Sequence, residues 1–431
     1  MSIKNITGTQ IGPLVVNAAG NIYNIKQGAT LVFGDSGGGG ISAAIVENVD
    51  TPAVNHDNIY NIDGRAIGSQ VGVYTVGNRD QINIGSTGEV IGSYGVMFEG
   101  KNVDLTNNGE IIARSTFGVE GNYGIYSHDT SAAEIRNNGT VSGAAGIFHD
   151  GANVQIVNGS DGFITGTQAG IAAVFGISSG SATVASGESL GERAGAGFPS
   201  VEFTNHGTVA VNAAGSAAFL VVDFNVTLIN DGLLKGGVEL GDGNSLFDNR
   251  GGRVTGVIDG GDGNDVLIVD SASCKLIEEQ NDGNDTVKST VSYTIGANVE
   301  NLTLLGNADI DGTGNSGDNT IRGNAGDNAL KGLSGADYLL GGKGNDRLLG
   351  GADGDTFHFS TGDGHDRIMD LVQGTDKIDL GGWDAIDTFA HLKSHAQDQG
   401  GDVLITAGSD SLLIVGLHKA DLNAASFDFV G

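Results

Sequence analysis

The sequence contains few of the residues that cross-link or interrupt a chain. Among its 431 residues are one cysteine, Cys274, three prolines and one tryptophan. A single cysteine excludes an intrachain disulfide. No run of about 18 apolar residues is present, which excludes a membrane-spanning helix, and residues 1–7 lack the apolar centre of a cleavable signal peptide.

Basic residues are also scarce. The chain has 21 lysines and arginines against 52 aspartates and glutamates, a formal net charge of −31. Without a basic patch to replace counterions, the chain is not expected to bind nucleic acid. The same lack of basic residues disfavours binding to a polyanionic sugar. The excess of acidic over basic residues is largest over residues 259–431, which contain 29 acidic and 10 basic residues. Such a segment repels itself unless cations bind to it.

Glycine, in contrast, is abundant, with 75 residues, and from Gly314 to His358 it recurs every nine residues. Each of five blocks has glycine at its first place, asparagine or aspartate at its sixth, and a branched or aromatic apolar residue at its eighth. The blocks begin at Gly314, Gly323, Gly332, Gly341 and Gly350, and their eighth places are Ile321, Leu330, Leu339, Leu348 and Phe357. This nonapeptide is a known calcium-binding repeat of parallel β-helices.

The spacing has a physical reading. A glycine-rich hexapeptide turns tightly, and the remaining three residues form a short strand whose apolar side chain points inward. Two blocks close one coil, so sixth-place residues 18 positions apart stack: Asn319, Asp337 and Asp355 on one edge, and Asn328 and Asp346 on the other. Stacked carboxylates and carbonyls suit Ca²⁺, which takes six to eight oxygen ligands, and they disfavour zinc or copper.

Further copies flank the array. Gly260–Ile268 is a full match, Asp282–Val287 is a partial one, and Gly362–Ile368 is offset by two residues from the strict count. The candidate calcium ligands are Gly261, Asp262, Gly263, Asp265, Asp282, Asp285, Asn319, Asn328, Asp337, Gly342, Gly344, Asp346, Gly351, Asp353, Asp355, Asp363 and Asp366. The first two blocks carry a neutral amide at the sixth place, which predicts weaker or empty sites there.

These motifs, with the stretch Val299–Leu304 leading into Gly312–Asn315, resemble the repeats-in-toxin (RTX) family of exported bacterial proteins. The resemblance implies a calcium cofactor, an extracellular or cell-surface location, and export by type I secretion machinery through an uncleaved C-terminal signal. Ala424–Gly431 is similar to such a signal, although an ordinary closing strand is the alternative. Extracellular calcium modules bind at about 10⁻⁴–10⁻³ M, which agrees with that location.

The first 258 residues show a looser repeat of short strands. Alternating segments end in asparagine, and a turn glycine follows each: Val103–Asn107, Ala133–Asn137, Val154–Asn158, Val201–Asn205 and Val226–Asn230. Three short strands per coil of 20-odd residues indicate a parallel β-helix. The asparagines could stack as a hydrogen-bonded ladder, or they could reflect ordinary turn preference.

We therefore predict an all-β fold: a right-handed parallel β-helix over 1–258 that continues into a calcium-binding parallel β-roll over 259–370. Residues 371–431 are predicted to form a small α/β cap that includes the secretion signal. Within this cap, Asp384–Gln399 reads as a helix, and Asp402–Ile405 with Leu412–Val415 reads as a hairpin. Residues 178–199 read as a loop that leaves one coil.

Two segments could suggest catalysis. Gly34–Gly38 matches the Gly-x-Ser-x-Gly pattern of hydrolases, but no helical pattern follows it. Tyr123–Asp129 is similar to the active-site stretch of mannuronan epimerases, with Tyr126 where that motif has an aspartate. No His-Glu-x-x-His motif exists. We therefore predict no catalytic residues and no enzymatic activity.

The predicted function is structural: a secreted calcium-binding protein that self-associates into a calcium-dependent homopolymer, as a surface layer, filament or biofilm-matrix adhesin. Residues 1–30 show no polar capping helix, so a first coil could pair with a neighbouring subunit. The alternative is an epimerase-, lyase- or lectin-like protein that acts on or binds polysaccharide, including cell-surface polysaccharide, along the β-helix face.

Overall fold

The computed structural model of the protein describes residues 3–16, 21–33, 43–47, 57–114, 122–127, 133–149, 153–174, 200–211, 217–222 and 224–429. The chain divides into two compact units, Met1–Asp262 and Gly263–Gly431. Both units are parallel β-solenoids, which confirms the predicted fold class. No helix among the described residues is long and apolar enough to cross a membrane.

The first unit is built from three columns of parallel strands. One column contains Ile3–Ile6, Ile22–Ile25, Ile59–Ile62, Gln81–Ile84, Asp104–Asn107, Ala133–Asn137, Val154–Asn158, Ser200–Asn205, Asn225–Asn230 and Leu246–Asp248. The second contains Thr9–Ile11, Thr30–Phe33, Arg65–Gly68, Glu89–Gly92, Glu110–Ala113, Thr208–Val211, Leu233–Lys235 and Arg253–Val254. The third contains Leu14–Val16, Ala43–Glu47, Val71–Thr75, Tyr94–Phe98, Tyr123–Ser127, Ala217–Val222, Gly237–Glu239 and Ile258–Asp259. Two long strands, Thr140–His149 and Phe163–Val174, contribute to both the second and third columns.

Asparagine side chains form a continuous ladder inside this unit. The Nδ2 atom of each donates to Oδ1 of the next, at 2.6–2.9 Å, through Asn107, Asn137, Asn158, Asn205, Asn230 and Asn249. All six residues are buried. Consecutive strands are paired so that these asparagines lie side by side, for example Asn137 beside Asn158. The ladder interpretation of the sequence repeat is confirmed.

The second unit has two main columns. The first contains Val266–Val269, Thr286–Ser289, Asn301–Leu304, Thr320–Arg322, Tyr338–Leu340, Thr356–Ser360, Lys377–Gly382 and Phe427–Asp428, all paired in parallel. The second contains Tyr293–Thr294, Gly312–Thr313, Ala329–Ser334, Arg347–Ala352, His365–Ile368 and Asp410–Ile414, also parallel. Leu276–Ile277 is a further short strand.

The apolar eighth places form the core of this unit. Ile321, Leu330, Leu339, Leu348 and Phe357 are each 0% exposed. Ile321 pairs with Leu339 and Leu339 with Phe357, while Leu330 pairs with Leu348, so the 18-residue coil is confirmed. The block at Gly362 keeps this pairing despite its offset, since Leu348 lies beside Ile368.

The end of the unit corrects one prediction. The helix spans only Phe389–His395, after the N-cap Thr388, and not Asp384–Gln399. It ends there because Ala396–Gln399 pairs antiparallel with Asp402–Ala407, which no local pattern indicates. The predicted hairpin is present, formed by Asp402–Ala407 and Asp410–Ile414. Single 3₁₀ turns follow at Lys419–Asp421 and Ala424–Ser426.

Candidate metal centre

Each sixth-place aspartate of the array folds back over its own turn. Asp337 illustrates the geometry: its Oδ1 accepts a hydrogen bond from the Asn319 backbone N–H at 2.8 Å, one coil earlier. Its Oδ2 lies so close to Gly332 that a Cβ there would sit 2.1 Å away. A side chain at the first place would therefore displace the carboxylate, which explains why the repeat begins with glycine.

The carboxylates form two stacks, as the spacing predicts. On one edge the backbone N–H groups of Asn319, Asp337 and Asp355 donate at 2.8–3.1 Å to the carboxylates of Asp337, Asp355 and Asp376. On the other edge, Asn328 N–H donates to Asp346 at 2.7 Å, and Asp346 N–H donates to Asp366 at 2.8 Å. The same contact links Asp265 N–H to Asp285 at 2.9 Å near the start of the unit.

Two members of these stacks were missed by sequence reasoning. Asp376 follows Asp355 by 21 residues, and Glu300 accepts from Asp285 N–H at 2.8 Å after only 15 residues. Neither position fits an 18-residue count, and Glu300 is not an aspartate. A search for any acid just before a short alternating strand would have found Asp376, which precedes Lys377–Gly382.

Four of the stacked carboxylates have one oxygen that makes no hydrogen bond among the described residues. The Oδ2 atoms of Asp285, Asp337, Asp346 and Asp355 are buried and make no hydrogen bond among the described residues. Burial without such partners disfavours the charged form. These orphaned oxygens, in an oxygen-only donor set, fit a hard divalent cation such as Ca²⁺.

The electrostatics point the same way. Burial, helped by the neighbouring Asp355, Asp318 and Asp353, raises the pKa of Asp337 to about 7. Burial raises the pKa of Asp346 to about 7 and, with Asp346 itself among its acidic neighbours, that of Asp366 to about 8. In the absence of a cation these carboxyls would hold protons near neutral pH. A bound ion would supply the positive charge that they lack.

The backbone of the later turns is built for this arrangement. Positive φ angles occur at the second and fourth places of three blocks: Leu333 and Gly335, Gly342 and Gly344, and Gly351 and Asp353. Leu333, at +96°, and Asp353, at +78°, adopt a conformation that only glycine takes without strain. The Asp353 carboxylate accepts from Gly335 N–H at 3.3 Å and so supports the preceding turn.

The first two blocks are different, because their amides bind to the protein itself. Asn319 Oδ1 accepts from Asn315 N–H at 2.8 Å, and its Nδ2 donates to Val299 O at 3.0 Å. Asn315 Nδ2 donates to Gly296 O at 2.6 Å and to Val299 O at 2.8 Å. The side chain of Asn319 thus has both its groups engaged, and an amide nitrogen faces the carbonyls that would otherwise face an ion.

The other edge repeats this arrangement. Asn328 Oδ1 accepts from Asn324 N–H at 2.9 Å, and its Nδ2 donates to Ile310 O at 2.7 Å. Asn324 Nδ2 donates to Leu305 O and Ala308 O at 3.1 and 3.0 Å. These bonds give a structural reason for the prediction that the first two sites are weaker or empty, and they do not favour Asn319 and Asn328 as metal ligands.

The remaining predicted ligands lie at the two ends of the array. Gly261, with φ +77°, and Asp262 belong to the first unit, whereas Gly263 begins the second. Asp282 is half-buried, and its carboxylate accepts from Glu279 N–H at 3.0 Å, so it stabilises its own turn. Asp363 accepts from Ser360 N–H at 2.6 Å, and burial raises its pKa.

The catalytic candidates gain no support from the geometry. Gly34–Gly38, the loop 178–199, and His128 and Asp129 lie outside the described residues. Tyr123–Ser127 is a regular strand beside Thr140–His149. Ser127 Oγ and His149 Nδ1 are 3.0 Å apart, but both residues are 0% exposed, so no substrate reaches them.

Comparison with known proteins agrees with this site. The family described as RTX calcium-binding nonapeptide repeat matches four stretches: residues 257–271, and three that overlap one another, 313–348, 323–357 and 331–368. The chain therefore carries RTX calcium-binding repeats, and calcium is the cofactor of this region. No curated protein matches the sequence.

A solved structure that is similar in part is that of the extracellular lipase LipA from Serratia marcescens. It is 19% identical, the match covers 47% of this chain and 39% of the lipase, and the TM-score is 0.20. The present chain thus corresponds to less than half of the lipase. Likeness at this level carries no argument about activity.

Proposed function

We propose that this chain is a secreted, calcium-stabilised structural protein that forms or joins an extracellular assembly such as a surface layer, a filament or a biofilm-matrix adhesin. The observation that carries the proposal is the pair of buried carboxylate stacks, since they require a cation that is abundant outside cells and scarce in the cytosol. Export through type I secretion machinery fits the same requirement. The C-terminal secretion signal stays a prediction. Within that segment, Phe427–Asp428 forms a strand that pairs with Lys377–Gly382.

Self-association is supported by the first described turn. Ile3–Ile6, Thr9–Ile11 and Leu14–Val16 each pair with one neighbouring strand among the described residues. Ile3 and Ile11 on this turn are 64% and 87% exposed. An edge that has no second strand partner among the described residues, and that exposes apolar side chains, favours strand addition by a second copy. The result would be a calcium-dependent homopolymer.

Electron microscopy of the purified chain in millimolar calcium, and then in chelator, tests this proposal. We expect ordered assemblies in calcium and their loss in chelator. Replacing Ile3 and Ile11 with lysine should block assembly while calcium binding is retained. Val372→Lys, at a site 51% exposed in the other unit, is the control and should assemble normally. Dispersed monomers of the unaltered chain in both conditions would refute the proposal.

A second candidate function is binding or modification of polysaccharide, which an aromatic cluster favours. Tyr94, Tyr123, Tyr126 and Phe148 contact one another with ring centroids 4.4–5.8 Å apart on one column of the first unit. Incubation with alginate, pectin and related glycans would reveal unsaturated or epimerised products, or binding. A negative panel would leave the structural role, without enzymatic activity, as the better account.

A further inference from the structure

Three acidic side chains converge near the start of the second unit, and one of them lies outside the nonapeptide pattern. Asp265 and Asp285 directly precede the paired strands Val266–Val269 and Thr286–Ser289. Glu278 directly follows the short strand Leu276–Ile277. One carboxylate oxygen of each lies within 4.8 Å of those of the other two. No spacing rule of the repeat includes Glu278.

The cluster is shielded from water. Asp265, Glu278 and Asp285 are 1%, 5% and 1% exposed. Asp285 Oδ1 accepts from Asp265 N–H, but its Oδ2 is buried and makes no hydrogen bond among the described residues. The charged groups that act on Asp285, Glu300 and Asp282, are also acidic. A buried cluster of one charge sign requires a compensating cation or bound protons.

The turn that carries Glu278 is held in place by other contacts. Asn298 Nδ2 donates to the Glu278 carbonyl oxygen at 2.9 Å. Glu279 N–H donates to Asp282 Oδ2 at 3.0 Å. The backbone on both sides of Glu278 is therefore fixed by contacts that do not involve its carboxylate.

We propose that Asp265, Glu278 and Asp285 together bind one calcium ion, and that Glu278 is a ligand supplied from outside the repeats. Because the affinity of oxygen-ligand sites rises with the ligand charge, the third carboxylate makes this site bind calcium more tightly than Asp265 and Asp285 would alone. The proposal rests on the calcium binding of the repeats and not on the assembly.

The test compares two neighbouring glutamates in the full-length chain. Glu278→Gln keeps the size of the side chain and removes its charge, and Glu279→Gln does the same at an exposed position. Equilibrium dialysis with radioactive calcium, and calorimetric titration, count the ions and rank their affinities. We expect Glu279→Gln to match the unaltered chain, and Glu278→Gln to weaken calcium binding at one site by at least about tenfold. Equal number and affinity in both variants would overturn the proposal.

A second measurement separates a ligand from a structural residue. Denaturant unfolding in chelator should show Glu278→Gln to be at least as stable as the unaltered chain, because one of three like charges is removed. If that variant were instead less stable in chelator, Glu278 would have a structural role and the proposal would fail. A failure to assemble in calcium would not bear on this site, because ions are counted on the individual chain.

Discussion

At the scale of single residues, asparagine and aspartate at the sixth place of the repeat differ in whether the protein alone fills their hydrogen-bonding capacity. Both polar atoms of the Asn319 side chain are hydrogen-bonded, since its oxygen accepts from a backbone N–H and its nitrogen donates to a carbonyl. Asp337 leaves one buried oxygen without a hydrogen bond from the described residues. Replacing an amide nitrogen with a carboxylate oxygen thus separates a turn whose side chain is fully hydrogen-bonded from a turn that is suited to bind an ion.

Replacing Asn319 with aspartate should convert the first kind of turn into the second. The new carboxylate would face Val299 O, which repels it, so we expect stability in chelator to fall by about 1–3 kcal/mol. Added calcium should restore part of that loss. Denaturant unfolding with and without calcium measures both effects. Asn307→Asp, at an exposed position of the same unit, is the control, and equal losses in the two variants would contradict this account.

The raised pKa values of Asp337 and Asp346, both about 7, predict an unusual pH dependence. Their pKa in the unfolded chain is near 3.8, so without calcium the folded unit binds more protons than the unfolded one. In chelator, stability should therefore increase as the pH falls from about 8 towards 5, and it should be lost as the pH rises through 7. Unfolding curves in chelator at several pH values measure this.

Calcium affinity should change in the opposite direction over the same range. Protons compete with the ion for the carboxylates, so acidification from pH 8 to 5 should weaken binding. Calorimetric titrations at both pH values would show it. Binding that is independent of pH would mean that these carboxyls stay ionised in the calcium-free protein.

At the scale of elements, two asparagine rows show what burial adds to the same hydrogen bond. The inner row includes Asn158, which accepts from Asn137 and donates to Asn205. An outer contact joins Asn138 Nδ2 to Asn108 Oδ1 at 3.1 Å, and both residues are exposed. Water can replace the outer bond but not the inner ones.

We therefore expect Asn158→Ala to destabilise the first unit by about 1–3 kcal/mol, because it leaves buried amide groups of two neighbours short of a partner. Asn138→Ala, the matched change on the outside, should cost no more than about 0.5 kcal/mol. Thermal and denaturant unfolding of the two variants provide the comparison. Similar losses in both would show that the inner ladder contributes no special stability.

The sequence predicted those elements whose pattern repeats. The terminal asparagines of the strands and the apolar eighth places recur at regular positions. Residues at equivalent positions of successive coils therefore lie side by side. Sequence reasoning failed where a contact depends on strand pairing between segments that no local pattern connects. The helix stops at His395 because the next residues join a hairpin, and Glu300 reaches its stack after an irregular interval. Glu278 belongs to no motif, so only the fold brings it to Asp265 and Asp285.

At the scale of the whole molecule, the two units should respond differently to calcium. The first is held by apolar packing and amide ladders, whereas the second contains the stacked carboxylates. Chelator should therefore unfold the repeats over 314–370 and leave the β-structure of residues 1–262 largely intact. Circular dichroism and limited proteolysis with and without calcium would reveal the partial loss. An unchanged β signal would contradict the prediction.

Changing Asp337, Asp346 and Asp355 together to alanine should reproduce the effect of chelator even in excess calcium, because it removes ligands from both edges. Circular dichroism of this variant in millimolar calcium checks the expectation. The triple change Asp384, Asp387 and Asp398 to alanine alters the same net charge at exposed positions, and it should leave the calcium response intact.

The asparagine ladder also shows how much chain can separate two rungs. Asn107 and Asn137 are 30 residues apart and Asn158 and Asn205 are 47 apart, yet both bonds measure 2.8 Å. The hydrogen-bond distance between two rungs is thus the same whether a short or a long segment of chain lies between them. Lengthening the chain between Val174 and Ser200 should therefore leave the Asn158–Asn205 rung intact, so the ladder could accept a foreign peptide at that interval.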